Sequence, residues 1–471
     1  MAKFFISLFL LSCWSAKAQE STPWTLEQCI NYALDHNTTI QQNILQGEIL
    51  QNNLTQSKWN RAPSLNGNGN HNYNIGRTID PFTNSFNNSS VQSNSFSLSS
   101  NLLLYSGNRI NNSVKQNKMA MNANDAGTAV VQNQIALSVA NAYLQIIQAE
   151  ENLKLAKSQH QITKNQLNQA QILYQSGATN QSNVLNLKAQ ASNDNVTIIN
   201  AENAIQIGYN TLINLMQYPL DQPLEINTLL TLQEPSDILD DISIIYDLAL
   251  DNRPEIRQAE ALISQNKYAE KVAKASLQPS LSAYGTINTL YSESGKEIRL
   301  GDTSLIPIGF TENSAETVLA PNIQPVYLDK SFGRQLNDNL GQQVGVTISV
   351  PILNGNRNRT TVKNARINTK ISELNLQNAK NQLRNDITTA YTNLKNAKSR
   401  YIANKQNAEA QKLNYSFNQK RYDAGTINST DLLTTKNQWN QAQIQLLNAK
   451  YEWIFRTLII DFYIGKKLTL E

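Results

Sequence analysis

Residues 421–433 read RYDAGTINSTDLL and residues 173–185 read LYQSGATNQSNVL. In each, a Tyr is followed three positions later by Gly, then by a short polar run, then by a polar residue and two aliphatic ones. The pair sets an offset, since Tyr422 stands 248 positions after Tyr174. The same 248 superposes Tyr391 on Tyr143 and the Gly-Asn-Arg at 355–357 on that at 107–109. Upstream the offset is 216, which superposes Leu250 on Leu34 and Pro279-Ser280-Leu281 on Pro63-Ser64-Leu65. A constant offset over such lengths marks a tandem duplication. The first copy covers 19–216 and the second 241–471, joined by a Pro-containing acidic linker at 217–240. The offsets differ by 32, so the second copy carries 32 extra residues. They fall in 292–341, whose Gly, Ser, Asp, Glu and Pro read as a long loop.

Each copy has two segments that alternate polar and apolar residues, about 63–75 and 93–105, then 279–291 and 342–353. In the first, Asn66 to Asn74 occupy every even position while Leu65, Gly67, Gly69, His71, Tyr73 and Ile75 face the other way. In the last, Val344, Val346, Ile348, Val350 and Ile352 oppose Gln343, Gly345, Thr347 and Ser349. Strict alternation predicts strands, and about 9–11 residues let a tilted strand cross a bilayer. A soluble sandwich is the bland alternative. The polar faces are Asn, Ser, Thr and Gln with almost no charge, which suits a water-filled lumen better. Four strands are too few to close a barrel, and an open sheet edge is not tolerated in lipid. Several chains must therefore share one barrel: two would give eight strands and three would give twelve.

After each Gly-Asn-Arg comes a long stretch free of Pro and rich in Ala, Gln, Asn, Lys and Leu, at 109–175 and 357–423. Each reads as a helix of about 100 Å. A second long helix follows each opening loop, at 181–216 and 429–463. Val184, Ala191, Ile198, Ile205 and Leu212 recur every seven residues, as do Leu432, Trp439, Leu446, Trp453 and Ile460. Seven-residue spacing predicts a coiled-coil seam. The loops are thus the tips of antiparallel helical hairpins. Gly177 and Gly425 supply left-handed residues that end a helix. Asn180, and Asn428 or Ser429, can cap the next one.

The N-terminus MAKFFISLFLLSCWSAKAQ has a Lys, an apolar run and an Ala-Lys-Ala box, and residues 1–18 read as a secretory signal peptide. The LLSC ending at Cys13 offers lipoprotein processing as a second route. Loss of Lys3 and Lys17 would lower the net charge from +4 to +2. Cys29 then remains alone, which excludes an intramolecular disulfide. There is no basic stripe for nucleic acid. His36, His71 and His160 are scattered, and no nucleophile, phosphate-loop or metal motif accompanies them, so an enzyme is not indicated and no cofactor or metal is expected. With only four Met, a Met-lined copper path is not indicated either.

Taken together, the duplication, the Pro-initiated strands, the Gly-Asn-Arg turns, the Y-x-x-G tips and the long terminal helix resemble the TolC family of outer-membrane channel-tunnels. The resemblance covers nearly the whole mature chain. It implies a mixed α and β membrane protein: a tandem-duplicated α-helical coiled-coil barrel plus four strands per chain, which contribute to a 12-stranded trimeric barrel. It also implies a passive exit duct of a tripartite efflux pump or a type I secretion system, in the outer membrane with a long periplasmic extension. The tips would form the gated end and dock a periplasmic adaptor (membrane fusion protein) tied to an inner-membrane pump. Carried over residue by residue, Asp431 falls where the family places an aspartate at the constriction, and Thr434 where a second acidic residue can occur. Three Asp431 carboxylates near the axis would select cations. Tyr174, Gly177, Asn183, Arg421, Tyr422 and Gly425 correspond to the docking tips, and Gly107, Arg109, Gly355 and Arg357 to the strand-to-helix turns. Copy one departs from the pattern, with Leu173 in place of Arg and Asn183 in place of Asp. An exported coiled coil without a pore is the competing reading; it accounts for the helices but not for the paired strands. The sequence leaves drug, bile salt, siderophore and peptide cargoes open.

Overall fold

The computed structural model describes residues 23–79, 84, 86–87, 90–228 and 241–468. The signal segment, Cys13 and the 229–240 part of the linker lie outside the described residues. The chain divides into two compact units. One comprises the residues up to Glu48, Asn122–Ala261 and Glu373 onward; the other comprises Ile49–Met121 and Leu262–Ser372.

The helices follow the duplication, and four of them contribute residues to both units. Helices α1 (Leu26–His36) and α2 (Thr38–Trp59) open copy one, and α3 (Arg109–Gln175) and α4 (Gln181–Met216) complete it. Helices α5 (Ile242–Asn252) and α6 (Pro254–Ala275), with α8 (Arg357–Asp423) and α9 (Ser429–Tyr463), repeat the pattern. α1 starts on a reciprocal cap in which Gln28 N–H donates to Thr25 Oγ1 while Thr25 N–H donates to Gln28 Oε1. α6 starts on Pro254, whose missing N–H costs nothing at a first helical position.

Two cores form; one lies mainly in copy one with side chains of α9 added from copy two, and the other lies within copy two. In one, Leu26, Cys29 and Ala33 of α1 meet Val139, Tyr143 and Ile147 of α3, Leu212 and Met216 of α4, and Ile454 of α9. The Tyr143 hydroxyl reaches the carbonyls of Trp24 (3.1 Å) and Asn227 (2.8 Å), so a core phenol finds acceptors on two loop strands. In the other, Ile245 and Ala249 of α5 meet Ile387, Leu394 and Tyr401 of α8 and Trp453 and Ile460 of α9. Arg253 ends α5 with a bidentate pair to Glu255 at 2.7 and 3.1 Å, and its guanidinium lies over the rings of Phe462 and Tyr463. The seven-residue seam is buried where its members are Leu212, Leu432, Trp453 and Ile460, with Gly208, Ala442 and Ala449 beside it. Gly208 packs so closely that a Cβ there would stand 2.8 Å from Ile146 Cγ1.

The second unit is built on one antiparallel sheet in the order β1 (Ser64–Asn74), β4 (Val91–Tyr105), β5 (Ser280–Ser292) and β8 (Gly341–Ser349). The two copies thus meet at the β4–β5 pair, and β1 and β8 are the open edges. The register aligns the faces across all four strands. Leu98 pairs with Gly67 and Ile287, Phe96 with Gly69 and Thr289, and Ala283 with Val346. Leu65, Phe96, Leu98, Ile287, Val344, Val346 and Ile348 therefore share one face. Asn66, Asn68, Asn70, Ser95, Ser97, Thr286, Asn288 and Gln343 share the other. The apolar face is uncovered: Val344 is 89 % exposed and Ile348 70 %.

Three expectations are corrected. The last strand ends at Ser349, not near 353. Ser349 pairs with Ser280, the first residue of β5, so nothing lies beyond to pair with, and Pro351 has no N–H to offer. The segment 292–341 is not a loop. It forms a hairpin of β6 (Lys296–Phe310) and β7 (Thr317–Asp329), then α7 (Phe332–Asp338). Gly301, Pro307 and Gly309 sit in or beside two bulges, between Leu300 and Thr303 and between Pro307 and Gly309, while Pro321 and Pro325 keep register positions opposite Leu305 and Leu300. Strands also outnumber four per chain, since this hairpin and a short pair, β2 (Thr78–Ile79) with β3 (Phe86–Asn87), accompany the sheet.

Candidate functional site at the helical hairpin tips

Both hairpin tips are closed by the same backbone pattern. In copy one, Gly177 N–H donates to Tyr174 O (3.0 Å) and Ala178 N–H to Leu173 O (2.8 Å). In copy two, Gly425 N–H donates to Tyr422 O (2.9 Å) and Thr426 N–H to Arg421 O (2.9 Å). These paired bonds need a left-handed residue, and Gly177 and Gly425 have φ of +75° and +71°. The next helix is then capped by an Asn in both copies. Asn180 Oδ1 accepts from Asn183 N–H at 3.1 Å, and Asn428 Oδ1 accepts from Asp431 N–H at 2.9 Å. Of the two cap candidates in copy two, Asn428 is therefore the one used.

The side chains differ between copies. Asp431 is exposed in the first turn of α9, at the positive end of the helix dipole, with Thr434 exposed one turn on. Asn183, its counterpart, is half-buried: its Nδ2 donates to Thr179 Oγ1 (2.6 Å) and its Oδ1 accepts from Ser429 Oγ (2.6 Å). The two tips are thus joined by Asn183 and the buried Ser429. Tyr174 is exposed. Tyr422 is half-buried, and that burial, with Asp423 nearby, raises its phenol above the usual value. Arg421 is exposed, and its carbonyl accepts from Thr426 N–H and Oγ1.

The strand-to-helix turns lie in the other unit. Gly107-Asn108 and Gly355-Asn356 each place two successive residues at φ near +60° (+61°, +65°, +62°, +62°). Gly is free to do so, and Asn tolerates it better than most residues. Arg109 and Arg357 then begin α3 and α8, their N–H groups donating to Ser106 O and Asn354 O. Gly107 is further constrained, because a Cβ would stand 2.6 Å from Gln278 Oε1, which accepts from Tyr105 Oη.

Two polar clusters above the tips escaped the sequence reading. Gln166 Nε2 donates to Tyr415 Oη (3.1 Å) and Gln419 Oε1 (3.0 Å), which joins α3 to α8. More notably, the fully buried Lys436 of α9 donates to Gln159 O (3.2 Å), Thr163 Oγ1 and Asp194 Oδ2 (3.2 Å). Asp194 Oδ2 also accepts from Thr163 Oγ1, and its Oδ1 accepts from Gln190 Nε2 at 2.7 Å. Burial lowers the affinity of Lys436 for its proton, and Asp194 opposes that. Among the described residues, no group of three or more metal-ligating side chains occurs, and no helix is long and apolar enough to cross a membrane. His71 sits on the apolar sheet face with Nδ1 2.5 Å from Asn94 Oδ1, a partner across the strands.

The duplicated tips and turns meet their family in comparison with known proteins. The model of the outer membrane efflux protein family matches residues 29–216 and 245–465, the greater part of both copies. The chain belongs to that family. This outer membrane efflux protein is 25 % identical over 301 residues to "Toxin and drug export protein A" of Aggregatibacter actinomycetemcomitans. That match covers 59 % of the chain and spans 55 % of the relative's length. Its fold is similar to that of CusC, with a TM-score of 0.73 at 15 % identity and 96 % of each chain covered. It is also similar to VceC of Vibrio cholerae, with a TM-score of 0.70 at 14 % identity, 94 % of this chain and 96 % of that one. Members of the family are channels, not enzymes.

Proposed function

We propose that the protein is one protomer of a homotrimeric channel-tunnel, the passive exit duct of a tripartite efflux pump or a type I secretion system. The single observation that carries this is the sheet. One face is apolar and uncovered, the other is uncharged and polar, and both edges lack a partner among the described residues. Such a sheet suits lipid on one side and water on the other only if its edges are closed by further copies. Three copies would give twelve strands, with the protomers' helices continuing the duct through the periplasm.

In this reading the hairpin tips are the gated inner end and the surface for a periplasmic adaptor, itself tied to an inner-membrane pump. Tyr174, Gly177, Asn183, Arg421, Tyr422 and Gly425 form the docking tips. Asp431 and Thr434 line the constriction. Asp431 is the one acidic side chain in the first turn of α9, and three copies would ring the axis with carboxylates. Gly107, Arg109, Gly355 and Arg357 make the turns from strand into helix.

The reading is tested by fractionation followed by planar-bilayer recording. The protein should need detergent to leave outer membranes and should then conduct ions as an oligomer. Release by a salt wash alone, or an extracted oligomer that does not conduct, would contradict it.

A further inference from the structure

A groove of about 850 Å³ runs between α4 and α9 over a floor formed by α3. Its position follows from the tips. On α4, Gln190, Thr197 and Thr211 stand one, two and four heptads beyond Asn183, and all three line the groove. Asn193 and Asn200 stand one and two heptads beyond Asn186 and line it as well. On α9, Gln441 lies one heptad beyond Thr434, and Gln445 two beyond Asp431. Residues at seven-residue steps in a coiled coil share a face. The groove is therefore the upward continuation of the face that carries Asp431 and Thr434, which is the lumenal face if the duct reading holds.

Its lining mixes uncharged polar and apolar groups. The walls present carboxamides and hydroxyls with Ile207 and Ile444 among them, and the floor sets Ala149, Leu155 and Ala156 beside further carboxamides. Among the described residues, Asp194 is the only ionisable one that lines it, and its carboxylate is already held by Lys436, Thr163 and Gln190. The groove thus offers donors and acceptors without net charge. A charged solute would lose hydration here and gain no counter-ion. An uncharged solute bearing amide or hydroxyl groups could exchange water for carboxamides and lay its apolar part on the floor. The volume lies within the range of about 300–1,000 Å³ seen for drug-sized ligands.

We propose that this groove is a transit subsite for uncharged amphipathic solutes that carry amide or hydroxyl groups. The inference rests on the duct reading and names a class of cargo for it.

The test uses the reconstituted full-length oligomer with chloramphenicol as the uncharged probe and its hemisuccinate as the carboxylate analogue. Chloramphenicol should interrupt the single-channel current. The variant Asn193→Ala/Asn200→Ala/Gln441→Ala, all exposed wall positions, should weaken that block roughly tenfold. Asn203→Ala, which lies on α4 outside the groove, should leave it unchanged. The hemisuccinate should block at least about tenfold less well. Equal block of wild type and triple variant, or equal block by both probes, overturns the subsite while leaving the duct standing. An oligomer that passes no ions overturns the duct, and the subsite with it. Should the triple variant fail to assemble, maleimide labelling of Asn200→Cys decides the matter. Protection by chloramphenicol supports the subsite. Absence of protection, or an Asn200→Cys masked in the conducting oligomer by a neighbouring copy, overturns it.

Discussion

Lys436 Nζ lies 3.2 Å from Asp194 Oδ2, a fully buried ammonium of copy two paired with a buried carboxylate of copy one. Removing one partner of such a pair leaves an uncompensated buried charge, at a cost of about 3–5 kcal/mol. Lys436→Met should therefore lower the thermal midpoint markedly, and Lys436→Met/Asp194→Leu should recover much of the loss. The pH dependence has a definite sign. The folded Lys436 holds its proton less tightly than the unfolded value of 10.5. Between its lowered folded value and 10.5 the unfolded chain binds more protons, so this residue's contribution to stability rises with pH across that window. Wild type should gain stability relative to Lys436→Met as pH is raised through that range, as followed by circular dichroism in detergent.

Gly208 and Gly425 are fixed by different forces, and their variants should respond differently. A Cβ at Gly208 collides with Ile146 of α3, so Gly208→Ala should cost about 1–3 kcal/mol, and Ile146→Ala should relieve part of it. A Cβ at Gly425 meets nothing within 4 Å, yet its φ is +71°. Gly425→Ala should cost about 1–2 kcal/mol, no change in a neighbour should relieve it, and Gly425→Asn should be better tolerated. Denaturation midpoints of the five variants check both statements.

Cys29 is fully buried in the core of α1, α3 and α4, and burial pushes its thiol up to about 12. The reactive form of cysteine is the thiolate. Against a Cys29→Ser control, Ellman's reagent should detect no Cys29 signal in the folded protein at neutral pH and a full equivalent after denaturation. Rapid labelling of the folded protein would show that this core opens readily.

Asp431→Asn should reduce the preference for cations in bilayer recordings while leaving assembly intact, because its side chain is exposed and only its N–H enters the helix cap. Reversal potentials measured under a salt gradient give the answer. An unchanged cation-to-anion ratio would remove Asp431 from the constriction.

What the sequence made legible was whatever local chemistry enforces. The alternating Asn residues from Asn66 to Asn72 all fall on one face of β1, since strand side chains alternate without exception. Gly-Asn before Arg109 and Arg357, and Gly177 and Gly425 at the tips, mark helix boundaries because few other residues take left-handed backbone. The β6–β7 hairpin was hidden, because its Gly and Pro residues read as breakers, whereas Gly301, Pro307 and Gly309 lie at bulges and Pro321 and Pro325 are tolerated within β7. The Lys436–Asp194 pair was hidden for another reason. Its partners are 242 residues apart, and the duplication aligns Lys436 with the exposed Lys188, which gives no hint of burial. The Asn183–Ser429 contact likewise joins residues 246 apart, so duplication predicts the two tips but not that they touch.

The most direct test of the account is whether the free edges of β1 and β8 close on one another between copies. Asn66→Cys on β1 can be combined in turn with Gly345→Cys, Thr347→Cys or Ser349→Cys on β8, and oxidised in outer membranes. Within one chain two strands separate these edges, roughly 14 Å at the usual strand spacing. A disulfide needs Cα atoms about 4.4–6.8 Å apart, so only a neighbouring copy can supply the partner. The account predicts that one of the three registers gives a covalent ladder that stops at the trimer. Monomer alone from every register, or a ladder that stops at the dimer, would contradict it.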